Sequence, residues 1–569
     1  MTDDTLEGSA ETTIDNLAKS QPRQFMAAVQ FLRVILYHES VEPKQRPIPD
    51  ADWERKVLAL SMNEEARSSI KGNVRKNVPP HPRLLLLHAA FRLMTMELGE
   101  GSDFFIEFYS LTGDIIPPSR LPTYIQELEA PIFSNKASTR NMAARASGII
   151  VSLAESSGLA IKSFIDMTFQ AVRSWEAATG ADINRAHGAL LTLAYTISRL
   201  SQRESLNQKW RDLVLQLLQF ALPMLKSADK TIKEASYLAL GQLSMFHVLS
   251  PSLLKDLSLD PAPSYPDTAD FIYESGKSGN EKAITALGRF GMIAEEDSDD
   301  VKKVIERLHS LHEVKQMESQ FAVGEALSCV AAGWNSKAMN SELDIDGSLP
   351  SGPARKSTLV QITDKTIQDC KASKPSLRKA SVIWLLCLLE YCGHNHELHE
   401  RLPQCQQAFK RCLSDKDELV QEAASRGLGL VYEKGDRELK EALVRDLVAS
   451  FSDNKPQLIG NVTADTELFE PGALPTGEGS SVTTYKDILN LASEVGDSSL
   501  VYRFMSMASS SAIWSSRAAF GRFGLSNVFA EAKVDDKLVV KLYRYRFDPN
   551  PYVSGRYLSL NFLIYANCE

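Results

Sequence analysis

Between Gln404 and Asp436 the apolar and polar positions alternate with the spacing of two short helices joined by a turn. Ala408, Phe409 and Leu413 share one face of the first helix. Ser414, Asp415, Lys416 and Asp417 make a polar turn, whose Ser and Asp oxygens can accept from the free N–H groups of a helix start. Leu419, Val420, Ala423, Leu428 and Val431 point inward from the second helix, and Gly435 supplies a stop. Two antiparallel helices of this size cannot bury their apolar faces alone, so they must stack on similar pairs.

The second helix recurs. Val420-Gln421-Glu422-Ala423-Ala424 leads to Gly429, and Ile232-Lys233-Glu234-Ala235-Ser236 leads to Gly241 at the same offset. Thr139 leads through Ala143 and Ala144 to Gly148, and Ala512 leads through Ala518 and Ala519 to Gly521. Weaker copies sit at Asn280–Gly288, Ile183–Leu193, Phe321–Val330 and Leu377–Leu386. Starts are spaced by about 40–50 residues or twice that, the period of HEAT-type helical hairpins. Small residues inside these helices let neighbours approach closely. The expected fold is all-α, a HEAT/ARM-like solenoid of stacked antiparallel hairpins with two flexible insertions.

Along the chain, 1–20 reads as a loose lead-in. Arg23–Tyr37 is a helix with Phe25, Ala28, Val29, Leu32, Ile35 and Leu36 on one face. Val41–Asp50, with three prolines, is a linker. Lys71–Arg83 carries Lys71, Arg75, Lys76 and Arg83; it reads first as a solvated loop and second as a patch for phosphate or an acidic partner. The domains expected are a helical segment with proline-rich joints at 1–122, repeats at 123–334, a flexible insertion at 335–359, repeats at 360–451, a flexible loop at 452–484, repeats at 485–551 and an atypical tail at 552–569.

Composition narrows function. The 569 residues are 44% hydrophobic and 24% charged, ordinary for a folded chain, with a net charge of −9. That balance argues against nucleic acid as the main ligand. Seven cysteines without regular spacing suggest a reduced compartment. No apolar run reaches the ~18 residues of a membrane span.

Candidate chemistry is sparse. Cys392, His396 and His399, with Cys405 nearby, have metal-ligand residue types, but no second half-site accompanies them and the stretch reads as a hairpin turn. Glu295–Asp300 lacks the Gly and distal Glu of a calcium loop and reads as an acidic turn capping Val301–Leu311. Cys387 and Cys412 lie on apolar helix faces and read as inert core. No phosphate loop, dinucleotide fingerprint or nucleophile elbow occurs. The expectation is no catalytic residue, no cofactor, no metal and no small-molecule substrate.

The last quarter carries a family resemblance. Thr466–Leu474, Thr484–Ala492, Leu500–Met505, Ile513–Gly521 and the block Leu542-Tyr543-Arg544-Tyr545-Arg546-Phe547-Asp548-Pro549-Asn550-Pro551, in this order, resemble the large proteasome-associated HEAT-repeat adaptor and scaffold family, the ECM-type proteasome components; upstream, from about 120 to 450, the resemblance is one of architecture and texture, closest to fungal members. Arg503, Arg517, Arg544 and Arg546 read as solvated faces that could pair with acidic partner surfaces. The resemblance implies family members roughly three times longer, with this chain matching an interior portion. Tyr552–Glu569 fits no repeat, and the expectation is a truncated or mis-spliced gene model, with Leu558, Leu560, Phe562, Leu563 and Ile564 left as an uncapped apolar end.

The resemblance implies a non-enzymatic scaffold that binds the 26S proteasome, bridges its core and regulatory particles, and acts in assembly, stability or quality control in cytoplasm and nucleus. The alternatives are a karyopherin-like nuclear-transport carrier and a regulatory HEAT scaffold of another enzyme complex.

Overall fold

The computed structural model describes residues 3–98, 103–113, 115–153, 159–203, 208–246, 248–257, 264–341, 352, 354–412, 415 and 417–439. These residues form helices, 3₁₀ turns and connecting segments, with no strand among them. The helices are α1 (Asp3–Ser20), α2 (Pro22–Ser40), α3 (Trp53–Leu58), α4 (Glu64–Asn77), α5 (Pro80–Thr95), α6 (Phe104–Thr112), α7 (Leu121–Glu127), α8 (Ala137–Leu153), α9 (Leu159–Arg173), α10 (Ala181–Arg203) and α11 (Gln208–Met224). They continue with α12 (Lys230–Met245), α13 (Pro251–Lys255), α14 (Tyr265–Gly276), α15 (Glu281–Gly291), α16 (Asp299–Ser310), α17 (Met317–Ala332), α18 (Lys356–Asp369), α19 (Pro375–Cys392), α20 (His396–His399), α21 (Leu402–Cys412) and α22 (Glu418–Lys434).

Local chemistry sets many of the starts. Asn63, Asp229, Ser250, Ser264, Asn280 and Ser298 each accept a backbone N–H of the following first turn. Ser298 begins α16 with Asp299 and Asp300 in its first turn, so the acidic run is the expected cap. Proline opens α2, α5, α13, α14 and α19 within its first two positions, where its missing N–H costs nothing.

The chain divides into two compact units. Among the described residues, the first holds those from 3 to 311 and from 326 to 358, and the second those from 312 to 325 and from 359 to 439. In the first unit the hairpins α9/α10, α11/α12 and α14/α15 follow one another. Each long second helix packs on the next: α8 on α10, α10 on α12, α12 on α15. In the second unit α21 and α22 form a hairpin, and α22 packs on α19. This is the all-α, HEAT-type stacking expected from the repeat.

The recurrent glycines mark where backbones touch. A Cβ on Gly148 of α8 would lie 2.9 Å from the Tyr195 carbonyl oxygen of α10. A Cβ on Gly288 of α15 would lie 2.4 Å from Cα of Ala326. Inside the second unit, a Cβ on Gly324 would meet a side chain instead, 2.6 Å from Cys387 Sγ. In α22 a Cβ on Gly427 would meet the ring of Phe409.

Several expectations give way. Residues 3–20 are a helix, α1, rather than a loose lead-in. Lys71, Arg75, Lys76 and Arg83 lie on α4 and α5 rather than in a loop, because Asn63 caps α4 and the prolines at 79, 80 and 82 start α5 rather than prolong a break. Within 335–359, expected to be a flexible insertion, the described residues include Ser336, Ala338 and Met339, buried around 3₁₀ turns, and Arg355, buried too. Arg355 donates to the carbonyls of Val330, Met292 and Ala294, the ends of two helices, where a cation is favoured. The motif blocks from Thr466 to Pro551, the loop at 452–484 and the tail at 552–569 lie outside the described residues.

Candidate interaction surface

The surface feature with the least ordinary chemistry is on α2. The expected apolar face divides: Phe25 and Val29 are buried, whereas Leu32 is 53% exposed and Ile35 36% exposed, beside Phe31 at 62%. The buried edge instead runs Phe25, Val29, Arg33, Tyr37, one residue per turn. Arg33 can sit inside because Glu107 of α6 neutralises it. Its Nε donates to Glu107 Oε1 at 3.0 Å, a second guanidinium nitrogen donates to Oε2, and the Tyr37 hydroxyl donates to Oε1. Arg33 also lies over the Phe104 ring, 4.9 Å from its centroid. Burial works against the Arg33 charge, but the Glu107 carboxylate outweighs it and keeps the guanidinium firmly protonated. The rotation that seats Arg33 turns Phe31, Leu32 and Ile35 to water.

Leu17 of α1, 43% exposed, is a further apolar side chain in the open on the helix before it. A polar network holds α1 in place. Asp15 accepts from Arg92 Nε at 2.5 Å and lies 2.9 Å from His88 Nε2, while Arg92 also donates to Glu127 of α7 at 2.8 and 2.9 Å. The other His88 nitrogen meets the Tyr124 hydroxyl at 2.9 Å, and Arg120 pairs with Glu11. Burial pushes the Asp15 carboxyl up, but Arg92 and His88 outweigh it and hold it below the usual carboxylate range.

Arg67, Lys71 and Arg75 repeat at one-turn spacing on α4. Burial, then the charges of Arg75 and Arg67, depress the Lys71 amine. Arg75 donates to the Leu111 carbonyl at 2.9 Å, which ties α4 to α6.

A second polar feature was not visible in the sequence. At the starts of four stacked helices, Arg140, His187, Glu234 and Lys282 form a line from α8 to α15. Arg140 Nε donates to His187 Nδ1 at 3.1 Å, His187 Nε2 stands 3.9 Å from Glu234, and Lys282 donates to Glu234 at 2.6 Å. Arg140 also donates to the Ser134 carbonyl six residues upstream, as Arg378 of α19 does to that of Ala372 in the second unit. Burial lowers the His187 pKa; His187 and then Lys282 bring that of Glu234 down to about 2.

The metal-type residues do not converge. Cys392 is fully buried at the end of α19, His396 is exposed beside Glu400 at 3.3 Å, and His399 Nε2 meets the Lys434 carbonyl at 2.9 Å. Cys405 is buried on α21. Among the described residues no group of three or more His, Cys, Asp or Glu is placed to hold a metal ion. Cys387 and Cys412 are buried, and no helix of the described residues is long and apolar enough to cross a membrane. Arg503, Arg517, Arg544 and Arg546 lie outside the described residues.

No family model matches the chain. It is 36% identical over 397 residues to the Saccharomyces cerevisiae protein named proteasome component ECM29, an overlap of 63% of this chain and 21% of that protein. It is 32% identical over 450 residues to the Homo sapiens proteasome adapter and scaffold protein ECM29, covering 73% of this chain and 23% of the relative. The chain thus spans between a fifth and a quarter of the length of these relatives. Among solved structures, the karyopherin Kap121p bound to the SUMO protease Ulp1p aligns with a TM-score of 0.40 at 13% identity, covering 98% of this chain and 52% of that one.

Proposed function

This chain is an Ecm29-like sequence over most of its length, and from that premise we propose that it is a non-enzymatic scaffold that binds the 26S proteasome, bridging core and regulatory particles. One observation carries the reading: about a third of positions are shared with two proteins named for the proteasome, across 63% and 73% of the chain. The mechanism fits stacked hairpins. Neighbouring repeats present many side chains on a continuous surface, and several weak contacts to two bodies add through effective concentration. The work of the molecule is holding, in assembly, stability or quality control, with a distribution in cytoplasm and nucleus that follows its partner.

The test is native-gel co-migration of the purified 569-residue chain with purified 26S proteasomes, and with core and regulatory particles separately. Binding to both particles, and a higher fraction of joined particles when the chain is added, is the expected result. A chain that migrates alone in all three mixtures overturns the proposal.

A further inference from the structure

Gly72 sits in the middle of α4, where neither backbone conformation nor packing within the chain asks for a glycine. Its backbone is helical rather than left-handed, and among the described residues nothing lies within 4 Å of where a Cβ would be. Gly148 and Gly288, by contrast, meet the backbone of a neighbouring helix. An exposed glycine inside a helix costs stability. What it offers is a place where another chain can come close. Ser68, one turn earlier, is exposed as well, and the two make a shallow bed on the outer side of α4.

The bed lies beside a ridge of cations. Arg67, Lys71 and Arg75 follow one another at every fourth position, over about 12 Å of helix. Lys76 is exposed at the same end as Arg75. Like charges at this spacing repel one another. Burial, then the Arg75 and Arg67 charges, hold the Lys71 amine below the usual lysine range. Arg75 Nε donates to the Leu111 carbonyl at 2.9 Å, which fixes one end of the ridge against α6. The chain as a whole carries a net charge of −9, so the ridge is a local reversal of sign.

We propose that the ridge Arg67, Lys71 and Arg75, with Ser68 and Gly72 beside it, is a docking site for an acidic peptide segment of a partner protein. The spacing fits. Four residues of helix advance about 6 Å, and two residues of an extended chain advance about 6.6 Å. Alternate carboxylates of an extended acidic run therefore meet successive cations. The missing Cβ at Gly72 lets the peptide backbone lie against α4. The bound carboxylates offset the repulsion within the ridge, and the guanidinium groups of Arg67 and Arg75 present the forked donors that carboxylates accept. A nucleic acid fits less well. The α4 sequence has no aromatic side chain on which a base could stack, and the net negative charge of the chain opposes a polyphosphate. The ridge asks for acidic chemistry whichever protein carries it.

The test is fluorescence anisotropy of a fluorescein-labelled octaglutamate peptide titrated with the whole chain, at about 0.05 M and about 0.3 M salt. The expected result is saturable binding at low salt that weakens at high salt. Arg67→Gln combined with Lys71→Gln should weaken it about tenfold. Gly72→Leu keeps every charge and favours the helix, yet it fills the bed and should weaken binding several-fold. Lys303→Gln, which removes an exposed cation on α16, should change nothing. Four results each overturn the proposal: no saturable binding at low salt, equal losses from Lys303→Gln and from the ridge pair, binding indifferent to Gly72→Leu, or tighter binding of octathymidylate than of octaglutamate.

Discussion

Arg33 and Glu107 form an ion pair inside the first unit, with side chains only 8% and 7% exposed. The pair decides which face of α2 turns inward. A buried pair contributes little over a well-packed apolar substitute, but losing one member strands the other charge. Glu107→Gln should therefore cost about 3–5 kcal/mol. The double change Arg33→Met with Glu107→Leu should recover most of that loss. Chemical denaturation of the three chains measures both, and a single mutant as stable as the parent would contradict the assignment.

Because the pair turns α2, Phe31 is an exposed residue on a helix that reads as amphipathic. Phe31→Asp should leave stability within about 0.5 kcal/mol of the parent, as surface changes do. It should also reduce binding of a hydrophobic dye and self-association in light scattering, since contiguous exposed apolar side chains favour association. A loss of stability on the scale of a core substitution would mean that Phe31 is buried.

The contrast between what was legible and what was not follows from range. The Ala- and Gly-rich second helices showed in the sequence because close backbone contact admits only small side chains, and that demand recurs once per repeat. Helix α1 was missed because its docking relies on Glu11 and Asp15 rather than on an apolar stripe. The orientation of α2 was misread because a charged residue at Arg33 scores as polar until Glu107, 74 positions away, is seen to neutralise it. His187 and Arg140 are 47 positions apart, so no local pattern announces them. The apolar positions at Val420, Ala423, Leu428 and Val431 needed no such partner and are buried as read.

The glycine contacts give a paired experiment. Gly288→Ala places a methyl 2.4 Å from the Ala326 Cα, and backbone must move to admit it. The expected cost is about 1–3 kcal/mol, the range for overpacking. Gly72 of α4 has nothing within 4 Å of where its Cβ would be. There the same substitution should stabilise by about 0.4–1 kcal/mol through the unfolded chain. Equal effects at the two sites would remove the close-approach explanation for the repeat.

The line from Arg140 to Lys282 makes stability depend on acidity in two limbs with the same sign. His187 is held below the usual value of about 6.5 by burial, against Glu234 and with Arg140, so as pH falls the unfolded chain takes up its proton first. Glu234, held near 2 by His187 and then Lys282, likewise stays ionised in the fold after the unfolded chain has protonated at about 4.3. In both cases the unfolded state binds more protons, so stability falls as pH falls. The histidine limb begins below about pH 6.5 and the glutamate limb below about pH 4.3, extending towards 2. His187→Asn keeps an acceptor for Arg140 Nε but cannot titrate. Denaturation midpoints measured from pH 7.5 to pH 3.5 should lose the upper limb in this variant and keep a weakened lower one, since Lys282 alone then holds the Glu234 carboxyl down. An upper limb unchanged by His187→Asn would assign it to another group.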